Sequence, residues 1–191
     1  MEVHKLLETL HIAERLKDEL RHCDTSKGRR ESVAEHSWRI ALMAFFLRDE
    51  FSEADMDKVT RMCLIHDLGE CFTGDSPAFD KTAQDESTEE ALLYQWVASL
   101  PSPCREEMRA LYDEMAALET QEAQIYKALD KLEAVISHNE SDISTWEDHE
   151  YDLQLTYGEQ NVAFSPYLTA LRQAVRQESL DKITREGDRR K

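Results

Sequence analysis

Residues that interrupt helices are scarce in this sequence, and apolar side chains recur at the spacing of an α-helix. Among its 191 residues are five glycines and four prolines, and β-branched residues seldom form runs. From Val3 to Leu16, and again from Val33 to Leu47, apolar residues return every three or four positions. Because Gly and Pro are the residues that most destabilise a helix interior, the sequence predicts an all-α fold with short connections.

The composition indicates one globular domain. Hydrophobic residues make up 41% and charged residues 33% of the chain, which is typical of a folded domain. With no linker or repeat to divide it, we expect a single domain over residues 1–180 and a frayed tail at 181–191. The longest apolar run, Ile40 to Leu47, is too short to cross a bilayer, so no membrane contact is expected.

The net charge and the cysteines limit the partners and the compartment. A formal net charge of -17 would repel a nucleic acid polymer, which requires a basic surface. A small phosphorylated ligand stays compatible with this charge if a metal or local basic residues receive it. The four cysteines form no C-x-x-C pair, and the N-terminus lacks a signal-peptide core. We therefore expect reduced thiols and a cytoplasmic protein.

Local signals predict several helix boundaries. A first helix is expected from Glu2 to Leu20, followed by a polar loop from His22 to Arg30. Ser32 and Glu35 have the spacing of a capping box that begins the second helix. Ser52 is predicted to cap the third helix. Later helices are predicted over 87–99, 103–118, 121–139 and 166–177.

Three of the predicted helices place a histidine or an aspartate beside their apolar face. These residues are His36, the pair His66-Asp67, and Asp130. A carboxylate in an apolar setting is unfavourable unless a cation or hydrogen bonds compensate for it. Two imidazoles and two carboxylates would suit Mn, Fe, Co, Ni or Zn and leave positions for water and substrate. Each residue alone is more often structural than a ligand, so the predicted metal site depends on their coincidence.

Four segments carry a resemblance to a known family. They are ESVAEHSW at Glu31–Trp38, IHDLGE at Ile65–Glu70, TGD at Thr73–Asp75 and LDKLE at Leu129–Glu133. In this order and spacing, the chain resembles the HD-domain phosphohydrolases and, within them, the 5'-deoxynucleotidase family. The resemblance implies a multi-helix globule that forms a homodimer. It also implies hydrolysis of (deoxy)ribonucleoside 5'-monophosphates to a nucleoside and phosphate.

The resemblance further implies which side chains perform the chemistry. It implies a divalent metal ion bound by His36, His66, Asp67 and Asp130. It also implies two essential carboxylates, Glu70 and Asp75. The metal would activate water and polarise a phosphoryl oxygen, while one carboxylate orients the water and the other protonates the departing ribose oxygen. We assign Glu70 to the water and Asp75 to the leaving group, and the reverse assignment stays open.

Substrate recognition is expected from the segment before the second helix. The resemblance implies that Arg21 contacts the 5'-phosphate, to which a guanidinium can donate two hydrogen bonds. The family commonly has a Trp at the next position, associated with packing on the sugar and excluding ribonucleotides, whereas this chain has His22. We expect His22 to contact the sugar or the phosphate, and the choice between deoxy and ribo substrates stays open. Trp38 is interpreted as a packing residue.

Three alternatives to this function remain. A related phosphohydrolase acting on another small phosphate ester, or on a nucleotide with an unusual sugar, is compatible with His22. A two-iron oxygenase of the same fold would need further histidines, and none occurs between Glu70 and Ser137. A non-catalytic metal-binding module is disfavoured because Glu70 and Asp75 are both retained.

Overall fold

The computed structural model describes residues 1–76 and 82–186 and is helical apart from one hairpin, which confirms the all-α fold. The helices are α1 (Val3–Ala13), α2 (Val33–Phe46), α3 (Met56–Ile65), α4 (Glu70–Thr73), α5 (Ala83–Ala98), α6 (Cys104–Ala117), α7 (Gln121–Glu140), α8 (Glu150–Thr156), α9 (Glu159–Val162) and α10 (Pro166–Glu186). Short 3-10 helices lie at Glu14–Lys17, Arg48–Phe51 and Ile143–Thr145. The strands β1 (Leu20–Asp24) and β2 (Arg30–Ser32) pair antiparallel.

Helix α7 lies at the centre of the fold. It packs against α2, α3, α6, α9 and α10, and its side chains Ile125, Leu129 and Leu132 are buried. Full burial of one such side chain contributes about 1.5–3 kcal/mol. Since α2 and α3 pack against each other as well as against α7, one apolar core fixes the relative positions of these three helices.

The predicted capping box at the start of α2 is confirmed. Ser32 Oγ accepts a hydrogen bond from the backbone N–H of Glu35 at 3.3 Å, and the Glu35 carboxylate accepts from the backbone N–H of Ser32 at 3.0 Å. Both bonds satisfy N–H groups that a helix start leaves unpaired. The cap therefore begins α2 at Val33 and places His36 in its first turn, on the buried face with Ile40.

The segment before α2 differs from the prediction. Helix α1 ends at Ala13, so the predicted helix from Glu2 to Leu20 is too long, and strands β1 and β2 include residues 22–24 and 30 of the predicted loop from His22 to Arg30. Gly28 supplies the positive φ of 77° in the connecting turn. The hairpin packs against α2 and α7, and such tertiary contacts are invisible to a periodicity argument.

The third helix begins at a different cap from the predicted one. Asp55, not Ser52, caps α3, because its Oδ1 accepts the backbone N–H of Lys58 at 2.9 Å. The helix ends at Ile65, and the following turn leads into α4. As a result, His66 and Asp67 lie just beyond the last turn of α3.

The C-terminal helix is longer than predicted. Helix α10 continues to Glu186, and Lys182 within it is buried, so residues 181–186 of the predicted frayed tail are helical. Residues 187–191 lie outside the described part of the chain. The buried Arg172 donates hydrogen bonds to the carbonyl oxygens of Gln154 at 2.9 Å and Tyr157 at 2.8 Å, which connects α10 to α8. Over the described ranges, the helices are too short or too polar to cross a membrane.

Candidate metal centre

Two imidazole rings and two carboxylates meet where α2, α3 and α7 come together. His36 Nε2 lies 3.8 Å from Asp67 Oδ2 and 3.4 Å from Asp130 Oδ1. His66 Nε2 lies 2.9 Å from the same Asp67 oxygen and 3.9 Å from the same Asp130 oxygen. The structure thus brings together the four side chains that the resemblance implied as ligands, and their role as ligands stays a prediction.

Contacts behind the rings set their orientation. His66 Nδ1 donates a hydrogen bond to the carbonyl oxygen of Cys63 at 2.9 Å, and since a carbonyl can only accept, the proton is on Nδ1. His36 Nδ1 contacts the buried carboxylate of Glu133, which likewise places a proton on Nδ1. In each neutral ring, Nε2 is therefore the atom that directs a lone pair toward the aspartates.

This arrangement fits a divalent cation. Lone pairs that face ionised carboxylates repel them unless a positive charge lies between. His66 Nε2 is buried and, among the described residues, has no partner aligned for a hydrogen bond. Donor atoms of His36, His66 and Asp67 all lie within reach of one ion. With Asp130 beside them, the donor set is that of a divalent-metal site.

The electrostatic surroundings also favour positive charge at this point. Burial and the nearby Arg21 charge act to lower the pKa of His36, but hydrogen bonds to Asp130 and Glu133 outweigh them and raise it to about 9. A cluster that strongly favours an extra proton on an imidazole is one in which a metal ion can replace that proton.

Asp130 connects the imidazoles with two lysines. Its Oδ1 faces the rings, while its Oδ2 lies 3.0 Å from Lys127 Nζ and 3.3 Å from Lys131 Nζ. Burial alone would raise the pKa of Asp130, but the two ammonium groups and the imidazoles hold it well below its usual value. Asp130 therefore stays ionised and available to a cation.

Glu133 is a residue of this site that the sequence reasoning missed. It is fully buried, its Oε1 accepts from Ser137 Oγ at 2.5 Å, and its Oε2 contacts both His36 Nδ1 and Arg21 Nη1. A carboxylate behind a metal-ligating histidine fixes the ring and its tautomer. The available signal was its position three residues after Asp130, on the same face of the helix.

A cavity of about 620 Å³ adjoins the cluster. Glu70 and Asp75, the two predicted catalytic carboxylates, line it together with Asp67 and Asp130. Glu70 is buried at the start of α4. The rest of the loop after Ser76, residues 77–81, lies outside the described part of the chain. The structure thus places both predicted carboxylates beside the cluster, and their catalytic roles stay a prediction.

Arg21 and His22 line the same cavity from β1 but contact different partners. Arg21 Nη1 lies 2.8 Å from Glu31 Oε2 and 3.3 Å from Glu133 Oε2. His22 Nε2 lies 3.4 Å from Glu147 and 3.6 Å from Glu150. The guanidinium thus neutralises two buried carboxylates, and its predicted contact with a phosphate stays a prediction.

The interpretation of Trp38 as a packing residue is wrong. The side chain of Trp38 is 60% exposed, as are those of Phe45 at 54% and Phe46 at 70%. In α2 the buried positions run through His36, Ile40 and Ala44, so position 38 lies on the outer face of the helix.

Fold and site together define a helical domain in which side chains from α2, from the turn after α3 and from α7 converge in an H…HD…D pattern that fits a divalent metal. The model of the HD-domain family, described as "HD domain", matches residues 13–172. The chain belongs to the HD-domain family, and the resemblance seen in the sequence is confirmed at this level.

Individual known proteins extend this comparison. The chain is 33% identical over 112 residues to the mouse (Mus musculus) 5'-deoxynucleotidase HDDC2, a match that covers 58% of this chain and 55% of that protein. The chain spans about half the length of the curated relatives it matches. The crystal structure of a predicted metal-dependent phosphohydrolase from Magnetospirillum magnetotacticum MS-1 superposes with a TM-score of 0.79 at 31% identity, covering 94% of this chain and 93% of that chain.

A more distant structure shares the fold alone. The HD phosphohydrolase DatZ of cyanophage S-2L is 23% identical with a TM-score of 0.53, covering 97% of this chain and 95% of that chain. That protein is described as bound to dA and one catalytic zinc ion. At this identity, the likeness supports the helical architecture described above.

Proposed function

We propose that this chain is a metal-dependent phosphomonoesterase that hydrolyses nucleoside 5'-monophosphates, with deoxy or ribo sugars, to a nucleoside and phosphate. One observation carries the proposal, namely that two imidazoles and two carboxylates converge on one point beside a cavity that two further carboxylates line. The mouse relative is named a 5'-deoxynucleotidase, and the bacterial structure is described as a predicted metal-dependent phosphohydrolase. Both names support this class of reaction for the present chain.

The side chains divide the chemistry between them. A divalent ion would be held by the Nε2 atoms of His36 and His66 and by the carboxylates of Asp67 and Asp130. When bound, it supplies an activated water and a polarised phosphoryl oxygen. Glu70 is proposed to orient the attacking water, and Asp75 to protonate the departing ribose oxygen. The pH dependence of phosphate release by variants of Glu70 and of Asp75, each changed alone, distinguishes this assignment from the reverse one.

Basic side chains at the cavity support an anionic substrate. Arg21, Lys127 and Lys131 all line it, in a chain whose net charge is -17. Both described contacts of the Arg21 side chain use Nη1, so Nη2 is the atom through which the guanidinium would meet a phosphate. Local positive charge of this kind allows an acidic protein to receive a small phosphorylated ligand.

The proposal is tested by phosphate release from a substrate panel. Purified protein is stripped of metal, reloaded separately with Mn, Co, Ni, Zn or Fe(II), and given ribo- and deoxyribonucleoside 5'-monophosphates. We expect release with at least one metal, loss of release on chelation, and recovery on adding the metal back. Metal-loaded protein that releases no phosphate from any of these nucleotides would contradict the proposal.

Two further outcomes of the panel address the alternatives. Release from other small phosphate esters but from no nucleoside monophosphate would favour the alternative substrate class. Stoichiometric metal binding without release from any ester would favour a non-catalytic module. The polar His22, where the family commonly has a Trp, is the observation that keeps the alternative substrate class in view.

We also propose the homodimer that the resemblance implies. Trp38, Phe45 and Phe46 expose aromatic surface on one helix, and exposed apolar patches of this kind mark protein interfaces. We expect Phe46→Glu to convert a dimer to a monomer in analytical ultracentrifugation, whereas Phe164→Glu, at another exposed site, leaves the dimer intact. A wild-type monomer at micromolar concentration would contradict the homodimer.

We also propose that the protein is cytoplasmic. The thiols of Cys23, Cys63 and Cys71 are buried and that of Cys104 is partly buried, and all four are free. Free thiols are typical of a reducing compartment, which supports the prediction. Fractionation of the native cell with antibody detection tests it directly.

A further inference from the structure

The cavity extends well beyond the metal cluster. Asp130, Ala134 and His138 line it in succession along α7, and eight residues of helix span about 12 Å. Glu150 and Gln154, one turn apart on α8, line the same end of the cavity as His138. A phosphate at the cluster would therefore leave the rest of a bound molecule facing α8.

Glu150 presents a hydrogen-bond acceptor in a fixed position on this wall. Its Oε1 accepts from His138 Nε2 at 2.8 Å, and its Oε2 accepts from the backbone N–H of Glu147 at 2.7 Å. His138 is itself held, because its Nδ1 donates to the carbonyl oxygen of Ala134 at 3.1 Å. Since each carboxylate oxygen has two lone pairs, both can accept a further hydrogen bond without moving.

Gln154 is a second and independent indication of a ligand. Its side chain is 4% exposed, it lines the cavity, and over the described ranges its Oε1 has no hydrogen-bond partner. Buried polar atoms in native proteins nearly always have partners. A donor group on a bound molecule would provide the partner that the described protein groups do not.

The charge of the wall decides which part of a substrate it receives. Glu150 is buried and pairs with the imidazole of His138, so this wall carries little net charge, whereas Lys127 and Lys131 lie beside Asp130 at the other end of the cavity. An elongated phosphate ester is therefore oriented with its phosphate at the cluster. Its neutral end, which carries hydrogen-bond donors, then lies against α8.

We infer that Glu150 and Gln154 are specificity-determining residues that accept hydrogen bonds from the nucleoside part of the substrate. This inference rests on the proposed function and adds to it the ligand chemistry of the remote wall. The shared chemistry is an N–H or O–H donor, which either a sugar hydroxyl or a base amino or imino group can supply. A nucleoside without such a donor is expected to bind more weakly.

The test compares Gln154→Met and Glu150→Gln with the wild type. Gln154→Met keeps the length of the side chain and removes the acceptor, and Gln160→Met, at an exposed site on α9, is the matched control. Binding of each nucleotide is measured by calorimetry on metal-loaded protein, and turnover in parallel. Retained melting temperature and metal content show that a variant has folded.

We expect Gln154→Met and Glu150→Gln to weaken binding of the preferred nucleotide by about tenfold, as loss of one hydrogen bond to a buried group does. Binding of ribose 5-phosphate, 2'-deoxy and 3'-deoxy nucleotides identifies the donor. If the substitutions weaken binding only of nucleotides that carry a particular sugar hydroxyl, the donor lies on the sugar. If the substitutions still weaken binding of both deoxy nucleotides but do not affect ribose 5-phosphate, the donor lies on the base.

Equal binding of every nucleotide by the folded variants and the wild type would overturn the inference. Because binding is measured separately from turnover, this result is distinct from failure of the proposed function. Nucleotide binding that depends on Glu150 and Gln154 but leads to no phosphate release would support the inference and contradict the phosphatase. Phosphate release with binding insensitive to both substitutions would do the reverse.

Discussion

His36 and Glu133 meet in the protein interior, where the imidazole Nδ1 contacts Oε2 of a carboxylate that is fully buried. The same carboxylate is held by Ser137 and by Arg21. Its position is thus fixed from three directions. The direction in which His36 Nε2 points is therefore set by a residue that lies behind the metal site.

Replacing Glu133 should weaken metal binding while leaving the four proposed ligands in place. Glu133→Gln removes the charge behind His36 and is expected to lower metal affinity by about 10–100-fold. Calorimetric titration of Zn or Mn into metal-stripped protein measures this directly. The matched control is Glu140→Gln, which lies on the same helix but pairs with Arg39 at the surface. Equal affinity in wild type and Glu133→Gln would show that the contact does not position the ring.

Asp75→Asn should abolish turnover without releasing the metal. Because an amide cannot donate a proton as an acid, we expect the rate of phosphate release to fall by at least about 100-fold. Metal content, measured by atomic emission, should equal that of the wild type and of Asp152→Asn, an exposed control. Loss of the metal in Asp75→Asn would identify Asp75 as a ligand instead.

The capping box of α2 should contribute measurable stability. Ser32→Ala removes the acceptor for the N–H of Glu35, and loss of a helix cap lowers the free energy of unfolding by about 1 kcal/mol. Urea denaturation of the metal-free protein gives this difference. Ser26→Ala, in the exposed turn between the strands, should change it little. Matching unfolding midpoints for Ser32→Ala and wild type would contradict the prediction.

His138 should make the stability of the protein depend on pH. Burial lowers the pKa of His138, but hydrogen bonds to Cys23 and Glu150 outweigh it and raise the pKa to about 10. A folded-state pKa above the unfolded value of about 6.5 means that the protonated ring stabilises the fold. This stabilisation is fully present below about pH 6.5 and is lost as the pH rises toward 10.

The measurement is the free energy of unfolding from pH 6 to pH 10. His138→Gln should show a shallower decline than the wild type, because it has lost one of the groups that titrate in this range, while His36 still contributes. His4→Gln, in the exposed part of α1, should follow the wild-type curve. Parallel curves for His138→Gln and wild type would show that the ring does not carry this dependence.

The parts of the fold that were predictable are those fixed by local signals. Ser32 and Glu35 lie three residues apart and form their cap within one turn, so the start of α2 could be found from the sequence. The apolar period around Asp130 likewise located α7 to within one residue. Ser52 and Asp55 are both acceptable caps, and the packing of α3 on its neighbours decides between them.

The residues of the site were predictable only where they belong to a recognisable sequence motif. Spacing alone placed His36 and Asp130 on buried faces, but their convergence followed from the resemblance. Glu133 acts through contacts with His36 and Arg21, which lie far from it in the sequence, and its spacing from Asp130 marks only the helix face on which it lies. The hairpin was missed for the same reason, since its two short strands owe their stability to the helices they cover.

The strand β1 presents neighbouring residues to two different environments. Arg21 lies against the carboxylates of Glu31 and Glu133, and His22 against Glu147 and Glu150. Inserting or deleting one residue within this strand would exchange the two sides and leave the anionic interior without its guanidinium. We therefore expect natural length variation to be confined to the solvent-facing turn at 25–29, where an additional residue would disturb neither neighbour.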